Sequence, residues 1–284
     1  MLHTDLIKPR SETNVRQIVL RTRGNSHGPI TRLVSPGDLG QFLKPFVFVD
    51  LFDTTKISFR GFGLHPHSGI ATVTYLFEGA AHYEDTTGAT GTLPAHGVEW
   101  FKAAHGAWHG GGNGEAVPSR GFQLWISLPP DYELGEVESI YQSPESIAQV
   151  GPARVLVGSH EGASSPLNPG TSMNYLAVHL RAGEVWRYQP PAGHTVGWMA
   201  LASGALEVAG DVAEHGDVVV FDKSTVTIEV RATKETEFVL GSAVPAAHDL
   251  VLGRYSVHTS HATLRAGENR ILEIRRQLVA DGRL

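Results

Sequence analysis

His65-Pro66-His67-Ser68-Gly69-Ile70-Ala71-Thr72-Val73-Thr74-Tyr75-Leu76-Phe77-Glu78-Gly79 sets two imidazoles two residues apart, at the head of an apolar, β-branched run closed by glycine. β-Branched and aromatic residues favour a pleated strand. Along a strand the side chains at i and i+2 share a face. The spacing therefore predicts an H-x-H pair able to present two neutral nitrogens to one metal ion. Imidazole suits iron, copper, nickel and zinc better than magnesium or calcium. A third candidate, His109, follows a glycine-spaced turn later in the chain. An isolated H-x-H is more often a pair of loop or surface histidines, so the metal reading depends on its surroundings.

The surroundings read as short strands separated by turns. Pro45–Phe52, Val98–Phe101 and Gly121–Leu128 are apolar runs, the last stopped by Pro129-Pro130. Residues 12–23 alternate in part through Val15, Ile18 and Leu20, as a half-buried strand would. After a connection reaching to about Ser146, the texture repeats in Val155–Gly158, Asn174–Leu180, Thr195–Leu201, Ala205–Val208, Gly216–Phe221, Thr225–Val230 and Glu237–Gly241. The 32 glycines and 16 prolines supply the turns. Such spacing predicts an all-β sandwich or barrel. His96-Gly97-Val98-Glu99-Trp100 and His215-Gly216-Asp217-Val218-Val219 resemble one another in layout, which points to a duplicated barrel. The second half has no H-x-H, and its His194 and His215 read as solvated turn residues. Glu268–Ala280 carries Ile271, Leu272, Ile274 and Leu278 at helical spacing, with Arg275 and Arg276 complementing the helix dipole and Gly282 as the stop. This predicts an amphipathic helix docked on a barrel.

Composition narrows the function. A length of 284 residues allows one large domain or two ordinary ones. The net charge of −6, with no Lys/Arg cluster, gives no electrostatic case for nucleic acid. The lack of cysteine excludes disulfides, thiolate metal sites and a cysteine nucleophile. No run approaches the roughly 18 apolar residues of a membrane helix, and the first ten residues lack the apolar core of a secretion signal, so cytoplasmic residence is expected. No phosphate-binding loop occurs.

The His65–Gly79 stretch continues through Tyr83-Glu84-Asp85, Gly88-Ala89-Thr90-Gly91, Val98-Glu99-Trp100 and Gly106-Ala107-Trp108-His109. In this it resembles the pirin family of the cupin superfamily, as does the tail Gly253-Arg254-Tyr255-Ser256-Val257-His258-Thr259-Ser260. The resemblance implies a bicupin: an all-β chain of two antiparallel β-barrels (jelly rolls) with a C-terminal helix. Residues 1–140 would form the metal-bearing cupin and 141–284 a second cupin without a metal motif. It also implies a divalent transition metal, usually iron, held by His65, His67 and His109. The family's glutamate, two residues past the third histidine, falls on Gly111, and the other acidic position common in cupins falls on Ala71. Three neutral imidazoles would leave the ion's charge without an anionic ligand, so the resemblance also allows weakened or absent metal binding. Three-histidine sites with open positions are nonetheless sound catalytic centres. His105, Glu99 and Glu115 are the nearby candidates for a further ligand.

Two functions follow from the resemblance. One is a quercetin 2,3-dioxygenase-type oxygenase acting on a small flavonol-like aromatic, with Glu99 as candidate base. Its pocket would draw on Phe59, Phe62, Phe101 and Trp108, while Trp100 reads as core. The other is a non-catalytic regulatory protein that binds a protein partner.

Overall fold

The structure, a computed structural model, describes residues 15–56, 61–111 and 115–284. Two large antiparallel sheets organise it. The first runs, in order, Glu138–Gln142, Val98–Lys102, Ile70–Asp85, Ser119–Ser127, Phe46–Asp53, Ile30–Val34 and Asn25–His27. The long strand Ile70–Asp85 also carries Thr90–Pro94 and Ala107–Gly110, and the latter pairs with His65–His67. The second sheet runs Ile18–Thr22, Val218–Phe221, Val196–Ser203, Thr236–Ala243, Met173–Leu180, Ala153–Val157 and Gln149–Val150. A smaller sheet of Val185–Tyr188, Ile228–Ala232, Ala205–Val208 and Asp211–Glu214 packs on its far face. This is the all-β, two-barrel cupin architecture with a C-terminal helix; the second barrel consists of two facing sheets.

Side-chain alternation decides what each face does. In Met173–Leu180, Leu176, Val178 and Leu180 enter the interior of the second barrel, while Met173, Tyr175 and Ala177 face the first sheet. In Ile70–Asp85, Ala71, Val73, Tyr75 and Phe77 meet them. One continuous core therefore joins the halves, with Phe46 set edge-on to Trp198 at 5.4 Å between ring centroids. The residues left over on the first sheet, Phe48, Asp50, Thr74, Glu99, Gln123 and Trp125, point the other way and line a cavity.

The two ends of the chain cross over. Ile18–Thr22 joins the second sheet by pairing with Val218–Phe221. Its middle is exposed rather than half-buried, and residues 12–14 lie outside the described ones. The tail returns to the first half, where Ser256 bridges Ser68 and the helix His261–Ala280 docks. That helix begins at His261 rather than Glu268, capped by the Ser260 hydroxyl accepting from the Thr263 N–H. Leu264, buried one heptad before Ile271, already carries the docking face, with Gly267 rather than an apolar side chain between them. Gly267 is required by contact: a Cβ there would lie 2.4 Å from Ser68 Oγ and 2.7 Å from His258 Nε2. Ile271 and Leu278 are buried and the Trp108 indole donates to the Ile271 carbonyl at 3.1 Å, but Leu272 is exposed, outside the docking face. The clean alternation of Thr225–Val230 forms a ladder only from Ile228 onward. Among the described residues no helix is long and apolar enough to cross a membrane.

Candidate metal centre

Antiparallel pairing of His65–His67 with Ala107–Gly110 sets His65 opposite His109. With His67 sharing the face of His65, the three rings form a nearly equilateral triangle. Their centroids are 5.0 Å (His65–His67), 4.7 Å (His65–His109) and 5.1 Å (His67–His109) apart. One ligand nitrogen from each lies within 4.8 Å of the other two.

The opposite nitrogen of every ring is engaged. His65 Nδ1 is 2.9 Å from the Gly63 carbonyl, His67 Nδ1 is 2.9 Å from the Tyr255 carbonyl, and His109 Nδ1 is 2.9 Å from Glu99 Oε1. Carbonyl and carboxylate oxygens only accept, so each Nδ1 donates and each Nε2 keeps its lone pair. This tautomer and anchoring are what metal-ligating histidines use. His109 Nε2 is buried without a hydrogen-bond partner, an arrangement that costs about 1–3 kcal/mol if nothing binds there. The donor set therefore fits a divalent transition metal.

Electrostatics favour the same state. Burial, helped by repulsion from His109, lowers His65 to about 4. Burial, with repulsion from His109 and His65, holds His67 well below the ordinary imidazole value. Both are therefore neutral at pH 7, as ligation demands. Burial opposes ionisation of Glu99, yet attraction to His109 and hydrogen bonds from His109 and Thr74 outweigh it and hold the carboxyl below its usual range. Burial and the neighbouring Glu99 push the Tyr141 hydroxyl up, so it stays protonated.

Cross-strand register places Tyr141, Glu99, Thr74, Gln123, Asp50 and Arg32 in one row across the sheet. The Thr74 hydroxyl contacts Glu99 Oε2 and, at 2.9 Å, Gln123 Oε1. The Gln123 amide nitrogen is buried without a partner. Turning that amide over would let it donate to Thr74, which then donates to Glu99. Arg32 grips Asp50 through Nε at 2.5 Å and lies 3.9 Å above the Phe48 ring. Phe48 stacks on Trp125 at 4.1 Å, and Trp125 meets His67 edge-on at 4.7 Å. A cavity of about 600 Å³ opens over this row and the three histidines, large enough for a small aromatic ligand.

Not every sequence candidate lies there. Glu99 lines the cavity wall; Glu115 and Gly111 line it too, and so does Phe62. His105 turns away and bonds the Gly135 carbonyl at 2.7 Å, outside the cluster. Phe101 is fully buried and stacks on His109 at 4.4 Å instead of facing the cavity. Trp108 is likewise no pocket wall, because its ring packs under the C-terminal helix. Trp100 is core, its indole donating to Glu138 at 2.7 Å. Phe59 lies outside the described residues. His194 is buried rather than solvated, with Ser172 and Ser242 hydroxyls each 2.9 Å from its ring nitrogens. The cavity aromatics missed in the sequence are Phe48, Phe52, Trp125, Tyr83, Tyr141 and Tyr255. A signal existed for part of this wall: Asp50, Thr74, Glu99 and Gln123 interrupt otherwise apolar strands at alternate positions.

Comparison with known proteins gives the family. The Pirin family model matches residues 29–126, and a model described as quercetinase C-terminal cupin domain matches residues 156–240. A pirin-like protein of Caulobacter vibrioides is 30% identical over 234 residues, covering 76% of this chain and 81% of its own. The crystal structure of a quercetin 2,3-dioxygenase from Acinetobacter baumannii superposes with a TM-score of 0.82 at 21% identity, over 91% of this chain and 97% of that one. A bacterial pirin, YhhW of Escherichia coli, solved in complex with nickel(II), superposes at 0.63 with 19% identity, over 81% and 98%. With both halves of the chain matched and the fold in agreement, the chain belongs to the pirin family of cupins.

Proposed function

We propose that this chain is a metal-dependent oxygenase of the quercetinase type, acting on a small, flat, phenolic substrate of flavonol-like shape. The observation that carries the reading is the convergence of three anchored imidazoles, their Nε2 atoms free, on the wall of an aromatic-lined cavity of about 600 Å³. His65, His67 and His109 would hold the ion, iron in this reading. The nickel-bound relative is an instance of the divalent class that such nitrogens suit. When bound, such an ion acidifies a ligated phenol and offers open positions for substrate.

The chain's own residues do the rest. Trp125, stacked on Phe48, gives a flat apolar wall beside His67. Arg32, Gln123 and Arg254 supply polar contacts around it. Glu99 stands ionised in the wall, but His109 and Tyr141 contact one oxygen and Thr74 the other, which leaves it poorly placed to take a proton from substrate directly. In this reading the metal chemistry belongs to residues 1–140. The part from 141 onward contributes the backing sheet and, through the Tyr255 carbonyl, the orientation of His67.

The test has two stages. Purified protein is analysed for bound iron, nickel, manganese, copper and zinc beside a His65→Ala control. Oxygen uptake is then followed with quercetin. Retention of metal above the control and oxygen consumption that requires it are expected. Metal retention without turnover of any flavonol would favour the regulatory alternative, and no retention would remove the oxygenase reading.

A further inference from the structure

A divalent ion on three neutral imidazoles keeps its full charge, and a charge in a buried site is costly without a counter-charge. The ligand cluster itself contains no carboxylate among the described residues. One step back stands Glu99, only 7% exposed and bound to His109 Nδ1 at 2.9 Å. Among the described residues no Lys or Arg pairs with it; its one ion-pair partner is His109. The structure thus holds a buried carboxylate with no Lys or Arg partner on one nitrogen of His109 and an unpartnered buried Nε2 on the other. The unpartnered nitrogen is costly alone, and a cation there would be satisfied by it and would face the carboxylate through the ring.

We propose that Glu99 is a positioning residue that supplies, through His109, the negative charge the three-histidine centre otherwise lacks. The inference rests on the metal-centre reading above and deepens it. The carboxylate accepts the Nδ1 proton, fixes the ring with Nε2 outward and raises the basicity of that nitrogen, as outer carboxylates do at metal-bound imidazoles. Thr74 and Tyr141 hold the carboxylate in turn, and Phe101, stacked flat on His109 at 4.4 Å, fixes the plane of the ring. The geometry therefore separates the roles: His109 touches the ion, and Glu99 balances it without touching it.

The role can be separated from simple structural support. Glu99→Gln keeps the shape and an oxygen acceptor for His109 but removes the charge. Gly111 follows His109 by two residues and lines the same cavity, so a carboxylate introduced there could reach the ion directly. Nickel(II) affinity is measured by competition with a chelator for wild type, Glu99→Gln, Gly111→Glu and the double variant, with circular dichroism to confirm folding. Cobalt(II) absorption of the loaded proteins gives an independent signature of the ligand field. A loss of about 10- to 100-fold is expected for Glu99→Gln, with a changed cobalt spectrum. Recovery is expected in the double variant, where Gly111→Glu should gain more than it does in wild type. Wild-type affinity in Glu99→Gln, or a loss that Gly111→Glu does not recover, would overturn the inference while leaving the metal centre standing. Failure of wild type itself to bind nickel would overturn the metal-centre reading and this inference with it.

Discussion

The neutral state of His65 has a measurable consequence for the metal-free protein. Folded, its pKa is about 4, chiefly through burial; unfolded, it returns to the ordinary value near 6.5. Between those limits the unfolded chain binds a proton that the folded chain refuses, so stability is full above pH 6.5 and drains as the pH falls toward 4. From pH 6.5 to 5 the loss is one and a half units at 1.36 kcal/mol per unit, about 2 kcal/mol at most because the ring is only half-buried. His67, His96, His160, His194, His248 and His258 are also lowered, mainly by burial, and act in the same direction. They are present in wild type and variant alike, and burial, their first cause, is kept in His65→Gln, so the difference reports chiefly the His65 proton. Urea unfolding of chelator-treated wild type and His65→Gln at pH 7, 6 and 5 is the assay. Wild type should lose up to about 2 kcal/mol more than the variant between pH 7 and 5. Parallel stability curves would show that the folded protein accepts the proton at His65, and the neutral, ligation-ready state argued here would be wrong.

Two further outcomes are expected. Gly267→Ala should lower the melting temperature by up to a few degrees, since overpacking against Ser68 and His258 costs about 1–3 kcal/mol while the alanine returns about 1 kcal/mol of helix propensity, a net loss of up to about 2 kcal/mol; the same variant should weaken nickel binding by loosening the tail that carries the Tyr255 carbonyl, and a rise in melting temperature would show that the helix shifts without cost. Nickel(II) at a hundredfold excess over its dissociation constant should stabilise the protein by about 2.7 kcal/mol, seen as a rise of several degrees that His67→Ala abolishes; an equal rise in the variant would place the ion elsewhere.

The strands were legible where their residues alternate or run apolar between turn formers. Ala205–Val208 is a strand over the span that the sequence delimits, while Met173–Leu180 exceeds its span by one residue and Thr236–Ala243 by three. The helix was legible only from Glu268: Leu264 extends the same apolar face, but Gly267 reads as a break until its contact with Ser68 and His258 is seen. His65 and His67 were legible because i and i+2 share a face. Trp108 and Phe101 read as pocket walls from their chemistry alone, but the face each presents depends on partners distant in sequence. His194 looked solvated because a turn histidine usually is, and its two serine partners come from other strands.

Local chemistry in the chain thus set the strand periods, the histidine pair, the lack of thiolates and the empty carboxylate position at Gly111. Tertiary structure decided that His109 meets the pair, that Glu99 stands behind it, that Tyr255 orients His67 from the far end of the chain, and that Phe48, Tyr83 and Trp125 wall the cavity. The division has a physical cause. Periodicity reports which face of one strand is apolar, whereas register between strands, and the return of the tail, depend on packing between segments far apart in sequence.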